Sequence, residues 1–297
     1  MARFTAALSA ALLACAPLVS GLTSTLEQVN DFGDNPTGVG MYYYLPTTVT
    51  DSPALIVAIH YCTGTGTAYF EGTPYAQLAD QYGFVVVYPS SPNEGTCWDV
   101  SSFETLTHGA GGDSYGIVSM VDYAKAQWGV DSERIFVTGS SSGAMMTNVL
   151  AAAYPDVFAA GIVYSGVAAG CFMSATGGVD AWNSTCSTGE STATQEQWAN
   201  VVFDMYPGYN GTYPRMQEYH GTIDDALLYP NFAEEVKQWA GVFGYDADAP
   251  AETLTDTPLA NYTKFVYGDN LQGISAEGVG HTVPVQGEED LKWFGII

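Results

Sequence analysis

The sequence predicts an α/β fold of three layers, with helices on both faces of a mostly parallel central sheet. Three observations carry that expectation. Apolar, β-branched runs at 54–59, 84–88 and 159–164 are nearly continuous, as in parallel strands buried on both faces. Segments of helical composition alternate with those runs. Finally, the apolar residues 135–138 run straight into Gly139-Ser-Ser-Ser-Gly143 and then into an Ala-, Met- and Leu-rich stretch. Strand, five-residue G-x-S-x-G turn and helix is the layout of a nucleophile elbow.

The elements follow in order. Residues 23–31 and 41–45 read as two N-terminal strands around a turn at Asp34-Asn-Pro-Thr-Gly38, and alternation over 39–44 fits an edge pair with one wet face. A central strand over 54–59 leads to a helix over 73–82 and the next buried strand over 84–88. Asp113 is the expected cap of a helix running to about Trp128. The elbow strand and its helix, 144–154, come next, then a strand over 159–164 and a long loop from 165 to 194. A helix over 196–205, a strand over 215–219, a helix over 232–243, a last strand over 274–276 and a helix over 288–294 complete the chain. Groups that act together in such a sheet belong at the C-terminal ends of its strands.

Compartment and partners follow from composition. Residues 1–21 hold one cation, Arg3, an apolar run over 6–19 and small residues at Ser20 and Gly21, the pattern of a secretory leader too short to remain as an anchor. A cut after Ala14-Cys-Ala16 is the alternative, but Pro17 would follow it directly. Residues 22–297 form one domain, and no internal repeat or linker divides them. The net charge of −25 loses one cation and no acid with the leader, so nucleic acid and anionic membranes are excluded as partners. No carboxylate cluster has calcium-loop spacing and no histidine pair has zinc spacing, so no metal or other cofactor is expected. A secreted monomer is expected.

Cys15 departs with the leader and leaves Cys62, Cys97, Cys171 and Cys186, an even set that an oxidising compartment would pair. Three pairings are possible. Cys62 and Cys97 lie in loops after neighbouring strands, and Cys171 and Cys186 close one short loop, which points to Cys62–Cys97 and Cys171–Cys186. The second closure is worth about 3 kcal/mol in the chain-entropy model. Sequons at Asn183, Asn210 and Asn261 are candidate glycan sites, while Asn35 is excluded by the proline after it.

A serine nucleophile needs a base, and the base needs an acid to orient it. Ser141 is central in the turn. In this layout the order along the chain is serine, acid, histidine. Of His60, His108, His220 and His281, only His281 lies near the C-terminus, in the glycine-flanked Gly278-Val-Gly-His-Thr-Val-Pro284. The acid belongs after the 215–219 strand, where His220-Gly-Thr-Ile-Asp-Asp225 stands. Asp224 is the choice and Asp225 the alternative. His220 reads as a packed histidine at the acid's strand end, away from the serine, and His108 as loop surface. The oxyanion hole requires the N–H of Ser142 and one from the loop His60-Tyr-Cys-Thr-Gly64, for which Cys62 is the candidate. His60 and Tyr61 read chiefly as support for that loop, with Tyr61 also a candidate substrate contact.

The segments Ile59-His-Tyr-Cys-Thr-Gly-Thr-Gly66, Tyr88-Pro-Ser-Ser-Pro92, Gly95-Thr-Cys-Trp-Asp99, Val137-Thr-Gly-Ser-Ser-Ser-Gly-Ala-Met-Met-Thr-Asn148, Tyr164-Ser-Gly-Val167, Trp239-Ala-Gly-Val-Phe-Gly-Tyr245 and Gly278-Val-Gly-His-Thr-Val-Pro284 together resemble the secreted fungal acetylxylan esterases. These form part of carbohydrate esterase family one, akin to polyhydroxybutyrate depolymerases and some feruloyl esterases. The resemblance covers almost all of the chain after the leader. It implies an αβα hydrolase fold without a metal, Ser141, Asp224 and His281 as triad, and acetylated xylan or a related plant polysaccharide as substrate. Family members typically read His-Gly-x-x-Asp with small polar residues after it, whereas Asp225 follows here.

Trp182, inside the loop closed by Cys171 and Cys186, is expected to wall the acyl site and keep it acetyl-sized. Trp98, beside Cys97, is a candidate platform for a sugar ring, with a purely structural role as the alternative. Feruloyl esterase, secreted serine peptidase and non-catalytic glycan-binding protein are the competing readings. A serine-directed fluorophosphonate separates the last of these from the rest.

Overall fold

Side chains along a strand alternate between the two faces of its sheet, and over Leu55–Ile59 both faces are dry. The computed structural model describes residues 21–297, so the leader expected at 1–21 lies outside the described residues except for Gly21. Leu55, Val57 and Ile59 enter one apolar core while Ile56 and Ala58 enter the other. That is why the run carries no polar residue.

Among the described residues ten strands form one sheet: β1 (Glu27–Val29), β2 (Gly40–Tyr44), β3 (Leu55–Ile59), β4 (Val85–Ser90), β5 (Ile135–Ser140), β6 (Ala160–Tyr164), β7 (Arg215–Gly221), β8 (Glu252–Thr255), β9 (Tyr262–Gly268) and β10 (Leu271–Ala276). Their order across the sheet is β1-β2-β4-β3-β5-β6-β7-β10-β9-β8. From β4 to β10 all neighbours are parallel. An antiparallel pair flanks this parallel core on each side.

The helices are α1 (Gly66–Gly72), α2 (Tyr75–Tyr82), α3 (Phe103–Leu106), α4 (Gly112–Trp128), α5 (Ser142–Ala153), α6 (Ser184–Ser187), α7 (Gln195–Met205), α8 (Pro230–Phe243) and α9 (Glu288–Phe294). Residues of α4, α5, α7 and α8 pack into the first core, and residues of α1, α2 and α9 into the second. The expected three-layer arrangement is therefore the observed one. Every residue of α5 is buried, which explains a helix that is apolar or small apart from Asn148, whose side chain is hydrogen-bonded. Truncating Leu150 within it to alanine would cost about 2–5 kcal/mol. The elbow thus rests on a helix held from all sides.

Several local expectations differ from the structure. The helix expected over 73–82 is α2, starting two residues later at Tyr75, and an additional helix, α1, precedes it across Thr73–Pro74. Asp113 is no cap. The cap position is Gly111, and the Asp113 N–H is taken by the Thr105 hydroxyl at 3.0 Å. The Asp113 carboxylate is instead buried, accepting from the Asp99 N–H at 3.0 Å and the Asn93 side-chain amide at 2.9 Å. The 215–219 strand runs on to Gly221, so His220 lies within it. The strands β8 and β9 were not anticipated, and both are largely unburied.

Candidate active site

The turn between β5 and α5 is tight enough to force its sequence. Ser141 sits at φ 55° and ψ −120°, a region that few side chains tolerate. Its N–H donates to the Tyr164 carbonyl at 2.9 Å, which ties the turn to β6. A Cβ on Gly143 would strike the carbonyl oxygens of Ile59 and His60, and one on Gly139 would strike the Gly143 carbonyl. Both flanking glycines are therefore required by close approach of backbone to backbone, and Ser141 is left at the pocket floor.

The parallel pair β7–β10 delivers the other two groups. Thr222 N–H donates to the Ala276 carbonyl at 3.0 Å and Ile223 N–H to the Val279 carbonyl at 3.1 Å, so the loops leaving the two strands run against each other. His281 Nδ1 lies 2.9 and 2.8 Å from the two oxygens of Asp224, and its Nε2 lies 2.7 Å from the Ser141 hydroxyl. A carboxylate accepts, so Nδ1 carries the proton and Nε2 is free to accept from the serine.

Asp224 is buried, and Asp225, the alternative acid, is exposed. Burial alone would raise the Asp224 carboxyl. Hydrogen bonds from His220, His281 and the Ala226 N–H outweigh it and hold the group well below the usual carboxylate range. Its Oδ1 also accepts from the Leu227 N–H at 2.9 Å.

The loop after β3 carries one of the two expected oxyanion donors, Cys62. Thr63 N–H is committed to the Gly95 carbonyl and Gly64 N–H to Tyr61, while Cys62 N–H has no carbonyl partner among the described residues. Ser142 opens α5, where a helix leaves its first N–H groups unpaired. Cys62 and Ser142 both line the pocket with Ser141. Cys62 is disulfide-bonded to Cys97, and Cys171 to Cys186, with Cα separations of 4.1 and 5.8 Å. His60 is fully buried. Its Nε2 accepts the Ser91 N–H at 3.0 Å and its Nδ1 donates to the Tyr61 carbonyl at 2.7 Å, and burial lowers its pKa. It is a neutral brace for the loop.

The pocket above the serine has a volume of about 750 Å³ and is walled chiefly by Tyr61, Trp98, Met145, Phe172, Trp182 and Val283. Trp182 is 64% exposed and meets Phe172 edge-on, with ring centroids 5.3 Å apart. Trp98 lines the pocket wall, in keeping with the structural role rather than the sugar platform. It is 1% exposed, and its indole N–H donates to the His60 carbonyl at 2.8 Å, so it has no free face for a ring. His108 is likewise no plain surface residue, because its ring stacks on Tyr206 at 3.6 Å and Nδ1 donates to the Ala153 carbonyl. Asn210 and Asn261 are exposed, while the half-buried Asn183 caps α6 through its side chain.

Two features escaped the reading of the sequence. Asp180 is the one carboxylate among the pocket-lining residues, raised to about 6 by burial and then by Asp99 and Asp113. The buried Asp99 accepts the N–H groups of Ser101, Ser102 and Asp180, and the Ser101 hydroxyl bonds Gly178 and Ala181. These bonds tie the segment just after Cys97 to the loop closed by Cys171 and Cys186, which carries Trp182 to the pocket wall. The other feature is His220, which is not remote from the site but touches its acid. The Asp99–Asp180 contact joins residues 81 positions apart and leaves no local pattern, and the His220–Asp224 contact, though only four positions apart, depends on which way the ring faces. Among the described residues no group of three or more His, Cys, Asp or Glu side chains is placed to hold a metal, and no helix is long and apolar enough to cross a membrane.

A family model described as esterase PHB depolymerase matches residues 40–250. The chain is 58% identical over 277 residues to "Acetylxylan esterase A" of Aspergillus ficuum, covering 93% of this chain and 91% of that protein. It is 60% identical over 271 residues to "Acetylxylan esterase A" of Emericella nidulans, covering 91% and 89%. Among solved structures, "Acetyl xylan esterase from Aspergillus awamori" superposes with a TM-score of 0.91 at 58% identity, over 92% of this chain and all of that one.

Proposed function

Because the chain belongs to the esterase PHB depolymerase family, we propose that it is a secreted serine carboxylesterase that removes O-acetyl groups from xylan. In this reading residues 1–21 are a leader, and residues 22–297 form one catalytic domain that works as a monomer. The observation that carries the reading is the unbroken line from the Ser141 hydroxyl through His281 to Asp224, with contacts of 2.7, 2.9 and 2.8 Å.

The reaction then follows from the proton positions. Ser141 attacks the acetyl carbonyl while His281 Nε2 takes its proton, and Asp224 holds the imidazole in the tautomer that allows this. The charge that grows on the carbonyl oxygen is met by the N–H groups of Cys62 and Ser142. His281 returns the proton to the departing sugar hydroxyl, and water, activated by the same imidazole, releases acetate and frees Ser141. No step needs a metal.

Acetate release from acetylated xylan by wild type and by Ser141→Ala tests this, with methyl ferulate as the competing substrate. The variant is expected to fall by ~10⁴-fold or more. Acetate release by Ser141→Ala at the wild-type rate ends the proposal, and faster turnover of methyl ferulate than of acetylated xylan moves it to feruloyl esters.

A further inference from the structure

Behind the proposed acid lies a second layer of ionisable groups for which the mechanism above has no use. We propose that His220, held by Glu235, is a positioning residue that grips Asp224 from the side away from His281 and does so as an imidazolium cation. This deepens the esterase reading and rests on it.

The geometry fixes the protons. His220 Nε2 lies 2.8 Å from the Leu227 carbonyl, which accepts only, so Nε2 carries a hydrogen. The same Nε2 is 3.3 Å from Asp224 Oδ2, so its N–H is shared between the two oxygens. On the far side of the ring, Nδ1 is 3.5 Å from Glu235 Oε2. Both of those atoms are fully buried, and Nδ1 has no other hydrogen-bond partner among the described residues. Nδ1 has only Glu235 to satisfy it, and a hydrogen on Nδ1 does so. Burial raises the Glu235 carboxyl, while His220 and hydrogen bonds with Glu218 and Asn148 oppose that rise and favour its charged form. With hydrogens on both nitrogens the ring is a cation.

The surroundings demand that charge. Glu235 comes from α8, and its other oxygen accepts from the Asn148 side chain at 3.0 Å, which the Trp239 indole in turn holds at 2.9 Å. Glu218, two residues before His220 and therefore on the same face of β7, is also buried. Burial and the neighbouring Glu235 raise its carboxyl well above the usual range, so it stays neutral. The remaining face of the ring meets the edge of Tyr229 at 6.1 Å. Among the described residues no lysine or arginine pairs with Asp224 or Glu235. The two histidines are the cations on offer to these buried carboxylates. Burial would strip His220 of its proton, but Asp224 and Glu235 more than offset it and raise the group to about 9.

The consequence is functional. Asp224 is gripped from two sides, and the nearby positive charge opposes uptake of a further proton by the Asp224–His281 pair. Removing that charge makes protonation of the pair easier, so activity should be lost at a higher pH on the acid side. His220→Gln keeps a donor for Leu227 but carries no charge. It is expected to lower kcat by about 10–100-fold with KM unchanged and to move the acid limb of kcat/KM on a soluble aryl acetate upward by about one pH unit. A folded His220→Gln enzyme with wild-type kcat and acid limb overturns the proposal. Should the variant fail to fold, nitrogen NMR of wild-type enzyme labelled in histidine decides the matter. An imidazolium signal at pH 7.5 from a ring protected from exchange supports it, and four neutral rings overturn it. This arm needs no catalysis, so an enzyme inactive on every ester would sink the esterase reading while His220 still reports its own charge.

Discussion

Gly221, the last residue of β7, lies directly against the backbone of Val279, two residues before His281. A side chain at 221 would drive into the carbonyl oxygens of Val279 and Gly280. The spacing between the acid's loop and the histidine's loop is thus set by the lack of a Cβ at one position. Gly221→Ala is expected to push the 279–281 segment outward and open the His281–Ser141 contact. A misplacement of about 1 Å costs on the order of 10²-fold in turnover, and the strain costs about 1–3 kcal/mol. Steady-state kinetics on an aryl acetate and thermal unfolding measure both. Unchanged kcat would show that the loop yields freely.

The adjacent carboxylates Asp224 and Asp225 differ in every relevant respect, the first buried and bonded to two histidines, the second exposed. Asp224→Asn should reduce kcat by about 10⁴-fold by favouring the wrong imidazole tautomer. Asp225→Asn should stay within about twofold, as a surface change does. Equal losses in the two variants would mean that the acid has been misassigned.

Trp182 stands over the pocket, braced by Phe172 alone among the rings and otherwise largely open to solvent. Trp182→Ala should widen the acyl side and raise the rate on butyrate relative to acetate esters by about tenfold, the scale of one or two methylenes in an apolar pocket. Rates on a series of aryl esters of rising chain length test this. An unchanged ratio would remove Trp182 from the acyl wall.

Asp290 of α9 is fully buried, and burial raises it to about 7 against hydrogen bonds from Tyr164 and Tyr75 at 2.5 and 2.7 Å. Its folded value exceeds the ordinary 3.8, so the folded state binds the extra proton between those values. The stabilisation is complete below about pH 4 and is lost as pH rises through about 7. Asp180, raised to about 6, adds to the same slope, whereas Asp99 and Asp224 are lowered and act at more acid pH. The Tm should fall between pH 4 and 8, and Asp290→Asn should flatten that fall. Calorimetry at fixed ionic strength is the measurement, and an identical slope in the variant would contradict it.

Legibility in the sequence followed burial. The strands β3, β4, β5 and β6 are dry on both faces, so their apolar runs announce them. The elbow glycines were legible because their five-residue spacing around the serine is itself local, although the collisions that require them come partly from Ile59 and His60 at the end of β3. Strands β8 and β9 carry exposed or half-exposed side chains and left no comparable signal. Asp113 fits a cap by type, yet a hydroxyl eight residues upstream took its N–H. His220 looked like packing because its partners are an aspartate in the next loop and a glutamate on a helix, and nothing in His-Gly-Thr-Ile-Asp tells which way the ring faces.

The short antiparallel borders of the sheet bear on how the molecule behaves in a crowd. Its outermost strands span only Glu27–Val29 and Glu252–Thr255, each opens with a glutamate, and both are mostly open to water. Brief, charged margins give an incoming chain few main-chain partners to zip onto. The long aliphatic strands that would template fibres are sealed several ribbons deep, so concentrated solutions of the folded protein should resist edge-to-edge stacking.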